Sequence, residues 1–529
     1  MITTNDKDAG IKKRKRKDNP LSNARGKQNQ AENVWFRRSN AGYRLFVEYY
    51  AGQPDGTVSI GIAGDSDNDN GSDKLDMKGD SCTVIVPPSR QGSGMSRAAK
   101  RRKKKKKKSA IQDEASHTME STSKNTHSTE SANIPLTQHK HYLLEALEKF
   151  SVASSGFKSF CQAMARPLPL TFRLRQSTAD EKLRTVDALL TSTFDEFISK
   201  SPIKNSIIYQ ALPNSNLTKE SLSKRSPELK KFLITNSQTG NLARQEFGSM
   251  LPVLALQRAG YLKASSRVLD VCSSPGSKTL QALELVGIKG RVLANDVSEA
   301  RLETLKAAVQ RSGLPEALLS RITYTCQDAS RLKPPVFKQK GSAVTKGWDV
   351  AIADVPCSGD GTCRKDKHIL PMWKPNHGNH LHSLQLRILL KTLDSIQVGG
   401  MVCYSTCSLN PIEDEAVVAA ALQRKGDTIE LVKFPKLPGF VGRPGIRQWR
   451  VADYAEGGSS ALEEDDEESP RLRWHNTWQD ANSTNMASPL KSMWPPSDNH
   501  DFPLEFCTRL WPQDQDTGGF FLALFKRIS

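Results

Sequence analysis

Two cysteines stand where a thiol could react. Cys357 lies in "DVPCSGDG" and Cys407 in "YSTCSLNPIEDE", each just after an apolar run that predicts the end of a buried strand. Cys407 has hydroxyl neighbours and is followed by an acidic stretch that reads as a helix start. A strand end just before a helix N-terminus is a place where a thiolate is stabilised. The chemistry such a residue offers is covalent catalysis. Cysteine is more often a small buried hydrophobe, and that reading falls to Cys82, Cys161, Cys326, Cys403 and Cys507. Cys403 and Cys407 share one face of a strand without further ligands, so no zinc site and no other metal is expected.

The elements that must position the two cysteines begin at Leu251. "RVLDVCSS", "RVLANDVS", "ITYTCQD", "WDVAIADVP" and "GGMVCYSTC" read as apolar strands, with helices at "KTLQALELV", "EARLETLKAAVQRSG" and "LQLRILLKTLDSI". This alternation predicts a parallel, doubly wound sheet. "GGFFLALFKR" predicts one more strand, added antiparallel at the edge. Ligands of such sheets sit beyond the carboxyl ends of the strands, near the switch in strand order. The loop Cys272, Ser273, Ser274, Pro275, Gly276, Ser277, Lys278 is small-residue and opens a helix N-terminus toward a ligand. Asp296 ends the next strand, placed to accept both hydroxyls of a ribose, with a helix cap as the alternative. Asp328 ends the third, placed for an adenine amino group. Neither a dinucleotide fingerprint nor a Walker lysine motif is present, so a nucleoside without a polyphosphate is expected.

Charge and hydropathy divide the rest of the chain. The net charge is +19, of which Lys12–Lys17 and Lys100–Lys108 carry six and nine, leaving +4 elsewhere. Such runs read as nuclear-import signals or non-specific phosphate contacts. The expected location is the nucleus, with the nucleolus a second address. No membrane span or apolar signal core is apparent, and the odd count of nine cysteines does not suggest a disulfide framework, so a soluble intracellular chain is expected. Residues 1–30 and 51–138 are predicted to be disordered. Between them the segment 31–50, rich in aromatic residues, predicts a helix docked on the folded body. Residues 139–250 predict an α/β accessory domain, 251–529 the sheet domain, and 453–490 a surface insertion carrying the acidic run.

Several stretches, taken in order, resemble the NSUN (Nop/Sun) family of RNA cytosine-5 methyltransferases: "TGNLARQE", "LDVCSSPGSKTLQ", "LANDVSEAR", "DVPCSGDGTCRKD", "LHSLQLRILL" and "YSTCSLNPIEDEAVV". "RPLPLTFRL", "LPGFVGRPGIRQWRV", "SMWPPSD" and "DQDTGGFFLALF" resemble its eukaryotic tRNA branch. The likeness covers about 140 to 529 and the segment near Tyr50. Ser273 and Ser274 replace usual alanines, Cys363 stands where methionine is common, and Gln513 replaces a frequent histidine. No large further domain is expected at the C-terminal end. The resemblance implies a Rossmann-like S-adenosylmethionine-dependent methyltransferase fold with an N-terminal α/β accessory domain that binds RNA, and disordered basic N-terminal segments. It implies S-adenosylmethionine as cofactor and RNA, tRNA first, as partner of a monomer. By physics alone either cysteine could be the nucleophile. The resemblance implies that Cys407 attacks carbon 6 of cytosine and that Cys357 assists product release. From their positions, Asp354 is expected to hydrogen-bond the ring and to line the cofactor site, Lys278 to hold the base or the cofactor carboxylate, with a surface helix lysine as the alternative, and Arg364 and Lys365 to hold RNA phosphate, with a solvated loop as the alternative. A catalytically silent RNA-binding factor of the same fold is the alternative.

Overall fold

The computed structural model describes residues 42–54, 136–149, 155–203, 207–286, 289–337, 345–454, 472–497 and 501–529, all within one compact unit. Both basic runs, the expected disorder of 1–30 and nearly all of that of 51–138, and the acidic run lie outside the described residues.

An accessory sheet comes first in the chain: β1 (Thr171–Leu174), β2 (Ile198–Lys200), β3 (Ile208–Ala211) and β4 (Leu242–Arg244), in the order β2-β3-β1-β4 with antiparallel pairing. Its buried face, with Phe172 and Tyr209, packs under Leu190 of the helix Asp180–Thr193 and Leu229 of the helix Pro227–Gln238. The central sheet follows as β5 (Arg267–Asp270), β6 (Arg291–Asp296), β7 (Ile322–Cys326), a short hairpin β8–β9 (Val336–Phe337, Thr345–Lys346), β10 (Trp348–Asp354) and β11 (Ile396–Thr406). After these come β12 (Ile429–Val432), β13 (Arg443–Pro444), a hairpin β14–β15 (Val451–Asp453, Arg473–His475), β16 (Thr508–Leu510) and β17 (Phe520–Arg527).

The chain runs β5, β6, β7 outward on one side and then returns to lay β10 and β11 on the other, so β10 lies parallel between β5 and β11. That reversal is the switch point at which an open sheet leaves a crevice for a ligand. Val268, Val292, Val350, Ile352 and Met401 are fully buried, as expected for strands covered on both faces. The late strand β17 pairs antiparallel with β11, but it is not an edge: β12 and β16 pair with its other side. Two more antiparallel partners are available because the segments 429–432 and 508–510 return to the same flank.

Three expected boundaries shift. The helix Phe247–Arg258 runs through residue 250 and buries its length in the central core, so the accessory unit ends at β4. The helices Leu136–Lys149 and Ser155–Met164 pack with a helix over residues 42–51 in an aromatic cluster of their own, away from the accessory sheet. The insertion at 453–490 is only partly superficial. Residues 455–471 lie outside the described residues, whereas Ala481 and Met486 join the central core and β15 pairs with β14. The accessory sheet is joined to the core by a buried ion cluster, Arg173 and Arg175 on Glu284 at 2.6 and 3.0 Å. A cavity of about 240 Å3 at this junction is lined by Arg173, Gln281 and Glu284, and neither reactive cysteine borders it. Among the described residues no helix is long and apolar enough to cross a membrane.

Candidate active site

β10 and β11 pair in register from Val350↔Met401 to Asp354↔Ser405, which brings the loops after them side by side. Cys357 and Cys407 meet there, Sγ to Sγ at 3.1 Å, both partly accessible. Hydrogen bonding to Cys407 and then burial push the Cys357 thiol well above its ordinary value, which keeps it protonated at neutral pH. Asp354 accepts from Ser405 Oγ at 2.8 Å and from Lys278 Nζ at 2.7 Å. Burial works to lower Lys278, but the charges of Asp354, Asp270 and Cys407 outweigh it and hold the ammonium above its ordinary value. The structure thus brings Cys357, Cys407, Asp354 and Lys278 to one end of the sheet at the switch point.

The expected support for Cys407 is different from what the structure holds. The next helix starts at Glu415, with turns over 411–414, so its N-terminus does not abut Cys407. A helix dipole acts over little more than its first turn. What fixes the loop instead is a pair of buried acids. Glu413 accepts from Ser358 N at 2.8 Å, Ser358 Oγ at 2.5 Å, Ser408 Oγ at 2.7 Å and Gln385 Nε2 at 2.9 Å. It thus clamps the residue after each cysteine. Burial and then the Asp360 charge raise its carboxyl to about 7. Asp360, fully buried, accepts from Leu409 N at 2.8 Å and so ties the first loop to the second. Gly361 N donates to Cys407 O at 3.0 Å, and Gly519 N to Gly361 O at 2.7 Å. A Cβ on Gly361 would lie 2.5 Å from Gly519 O, which is why this crossing takes glycine. Both acids were visible in the quoted motifs, but nothing in their spacing separates a clamp from a solvated helix start.

The cofactor end forms around β5 and β6. Ser273 donates Oγ to Asn295 O at 2.9 Å, and Ser274 donates Oγ to Arg301 O at 2.8 Å, so the two hydroxyls that replace the usual alanines are satisfied. Gly276 takes φ +105° before the helix Ser277–Leu285, and a Cβ there would lie 2.2 Å from the Leu305 side chain. Pro275 is exposed, Cys272 is partly buried, and Ser277 Oγ is 3.2 Å from Ser249 Oγ. Asp296 is 2% exposed and accepts from Ser274 N and Ser298 N at 3.2 Å each, with Arg301 at 3.3 Å. The cap of the following helix is Ser298, not Asp296. Asp328 stands apart: it caps its own turn through Ser330 N at 2.9 Å. Although burial opposes it, the hydrogen bonds from Ser330 and the Arg331 charge hold its carboxyl below the ordinary range.

One strand-end acid was passed over. Asp270 closes β5, is 1% exposed, and has Oδ1 buried without a partner, while Oδ2 accepts from Thr279 at 2.7 Å. Burial raises it to about 7. A buried acceptor left open at the mouth of the loop suits an ammonium donor such as the amino group of an amino-acid moiety. The residues present therefore fit S-adenosylmethionine: Asp270 would hold its amino-acid part and Asp296 its ribose.

Two further expectations fail. Arg364 is not a phosphate contact, because its guanidinium is buried and donates to Arg166 O, Pro167 O, Thr517 O and Asp516 Oδ1. An arginine with all its nitrogens engaged inward has none left for RNA. Lys365 remains exposed, 3.8 Å from Glu246. Cys326 is exposed rather than a core hydrophobe, because it ends β7 with its Sγ on Val297 O. Cys161, Cys403 and Cys507 are buried as expected, and Cys82 lies outside the described residues.

Comparison with known proteins follows the same lines. Residues 260–443 match the family described as 16S rRNA methyltransferase RsmB/F. Residues 260–443 thus resemble the core of that methyltransferase family. It is 34% identical over 413 residues to the multisite-specific tRNA:(cytosine-C(5))-methyltransferase trm4b of Schizosaccharomyces pombe, covering 70% of this chain and 56% of that protein. Identity is also 34% to the Saccharomyces cerevisiae multisite-specific tRNA:(cytosine-C(5))-methyltransferase, over 70% of this chain and 52% of the relative. With the Drosophila melanogaster tRNA (cytosine(34)-C(5))-methyltransferase it is 30%, over 72% and 52%. The chain thus spans about half the length of these curated relatives. The RsmB/F-type match takes in β5 to β12 and both cysteine loops.

Proposed function

We propose that this protein methylates carbon 5 of cytosine in RNA, with tRNA as substrate, by covalent catalysis through Cys407. The observation that carries the reading is the pair of accessible thiols at 3.1 Å beside Asp354 and Lys278, at the switch point of the sheet. When bound, S-adenosylmethionine supplies an electrophilic methyl group. Carbon 5 of cytosine is a weak nucleophile until a thiolate adds to carbon 6 and pushes electron density toward it, which is the task of Cys407. Asp354, steadied by Ser405 and Lys278, hydrogen-bonds the ring as charge builds there. Loss of the carbon-5 proton to water then lets the C5–H electron pair re-form the C5=C6 bond and break S–C6, and the protonated Cys357, 3.1 Å away, assists this release by donating a hydrogen bond to the departing Cys407 thiolate. The base must leave its stack to enter, so the target is an unpaired or flipped cytosine.

tRNA is favoured over ribosomal RNA because the relatives that match over 70% or more of this chain are named for tRNA, whereas an Escherichia coli ribosomal RNA small subunit methyltransferase F matches over 37%. Labelled S-adenosylmethionine incubated with tRNA and with ribosomal RNA, followed by bisulfite sequencing, tests the reading. We expect 5-methylcytosine in tRNA, and RNA binding without it would point to a silent RNA-binding factor. A monomer is the proposed working state, checked by light scattering. Residence in the nucleus or nucleolus is proposed from the two lysine-rich runs, and deleting 1–30 and 95–110 should impair nuclear accumulation more than methyl transfer. A tail-less chain that stays nuclear would sink the import reading.

A further inference from the structure

The two loops that carry the cysteines are held from a third place, far away in sequence. The helix over residues 42–51 presents two adjacent tyrosines, Tyr49 and Tyr50, at 0% and 1% exposure. Tyr50 Oη donates to Asp360 Oδ2 at 2.5 Å, and Tyr49 Oη donates to Asn410 Oδ1 at 2.9 Å. Asp360 is the third residue after Cys357, and Asn410 the third after Cys407. Each tyrosine therefore takes the same position in one of the two reactive loops. Asp360 also accepts from Leu409 N at 2.8 Å, so the two contacts are linked.

The helix is seated closely. A Cβ on Gly42 would lie 2.1 Å from Leu370 O, Gln53 exchanges hydrogen bonds with the backbone of Arg450, and the Tyr49 ring stacks on Trp474 at 5.7 Å. Packing alone does not call for hydroxyls here. Phenylalanine would bury the same rings without a polar group that needs a partner. The hydroxyls are placed where their partners are side chains of the reactive loops.

We propose that the helix over residues 42–51 is a positioning element of the cysteine site, with Tyr49 and Tyr50 as positioning residues that set the spacing of Cys357 and Cys407. This rests on the covalent reaction proposed above, so its test includes a reading that needs neither RNA nor cofactor. In the full chain, Tyr49→Phe, Tyr50→Phe and the double variant are compared with wild type. The readings are methyl transfer to tRNA, affinity for S-adenosylmethionine, thermal unfolding, and the rate at which iodoacetamide labels Cys357 and Cys407, followed by peptide mass spectrometry.

The expected result for the double variant is a fall in kcat of about tenfold or more, since small misplacements of reacting groups are expensive in rate. Cofactor affinity should stay within about twofold, because the two hydroxyls bond to the loops after β10 and β11 rather than to those after β5 and β6. Labelling at one or both cysteines should shift by about fivefold or more as their shared environment loosens. Unchanged labelling at both cysteines overturns the proposal whatever kcat does. Altered labelling with unchanged kcat in an active wild type overturns it as well. If wild type itself transfers no methyl group, the functional reading fails and labelling alone decides the role of the helix. Should the double variant fail to fold, Tyr49→Phe alone, which leaves the buried Asp360 its partners, carries the same readings.

Discussion

The cofactor end and the cysteine end of the same sheet are built on different plans. At the cofactor end the loop after β5 is held by its neighbours in the next strand-helix unit: Ser273 on Asn295, Ser274 on Asp296 and Arg301. These are short-range contacts to backbone and to a carboxylate on the adjacent strand. At the cysteine end the two loops brace each other through Glu413 and Asp360, and they are fixed from far away by Gly519 and the tyrosines of the helix over 42–51. A loop held locally can tolerate change around it and still bind its ligand. A site held by two distant segments depends on the whole fold, and that suits two thiols that must act in order on one base.

The largest contrast is expected from the cysteines themselves. Cys407→Ala should bind RNA and cofactor yet neither methylate nor form a covalent adduct, whereas Cys357→Ala should attack, transfer the methyl group and stall as an adduct. A denaturing gel shows a shifted protein-RNA band for Cys357→Ala alone, and the double variant loses it. A band trapped by Cys407→Ala would reverse the roles. At the other end, Asp296→Ala should weaken S-adenosylmethionine binding by about 1.5–3 kcal/mol, the range for hydrogen bonds to a charged group. Calorimetric titration measures it. Unchanged affinity would leave Asp296 as a brace for Ser274 and Ser298 only.

A smaller effect, shared by both ends, is on stability against pH. Glu413 is raised to about 7, so between about 4.5 and 7 the folded state keeps a proton that the unfolded state has released. Stability from this group is therefore fully present below pH 4.5 and is lost as pH rises toward 7, by at most about 1.4 kcal/mol per pH unit. Asp270, raised to about 7 by burial, acts in the same direction. Urea unfolding of wild type and Glu413→Gln at pH 5 and pH 8 should show a shallower loss in the variant. Equal losses would mean that Glu413 does not titrate in the folded protein. The smallest expected change is at Lys365: if it contacts phosphate, Lys365→Ala lowers the slope of log affinity against log salt by about one. An unchanged slope would leave it a solvated lysine.

What could be read from the sequence follows the same division. The alternation of strands and helices from "RVLDVCSS" to "GGMVCYSTC" and the small-residue loop are local signals, and the structure places them as expected. Cys357, Cys407, Asp354 and Lys278 were legible because each follows or opens an element at the same edge. The clamps were not, since the work of Glu413 and Asp360 depends on partners that the fold brings together. The helix start after Cys407 was misplaced because "LNPIEDE" carries helix-start residue types, yet turns intervene and the helix begins at Glu415. Arg364 misled for a related reason. A basic residue in a loop beside a reactive cysteine looks like a phosphate contact, and its inward course toward Thr517 and Asp516 is fixed by the turn before β17, more than 150 residues later.

The place of β17 has a consequence for how the protein matures. This strand lies between β11 and the strands β12 and β16, and just before it Gly519 closes on Gly361, which in turn holds the backbone of Cys407. Synthesis runs from the N-terminus, and pairings distant in sequence form late. A ribosome-bound chain that has already made both cysteines still lacks the strand that seals their loops. Completion of the reactive pair is thereby tied to the synthesis of β17, well after both cysteines have been made.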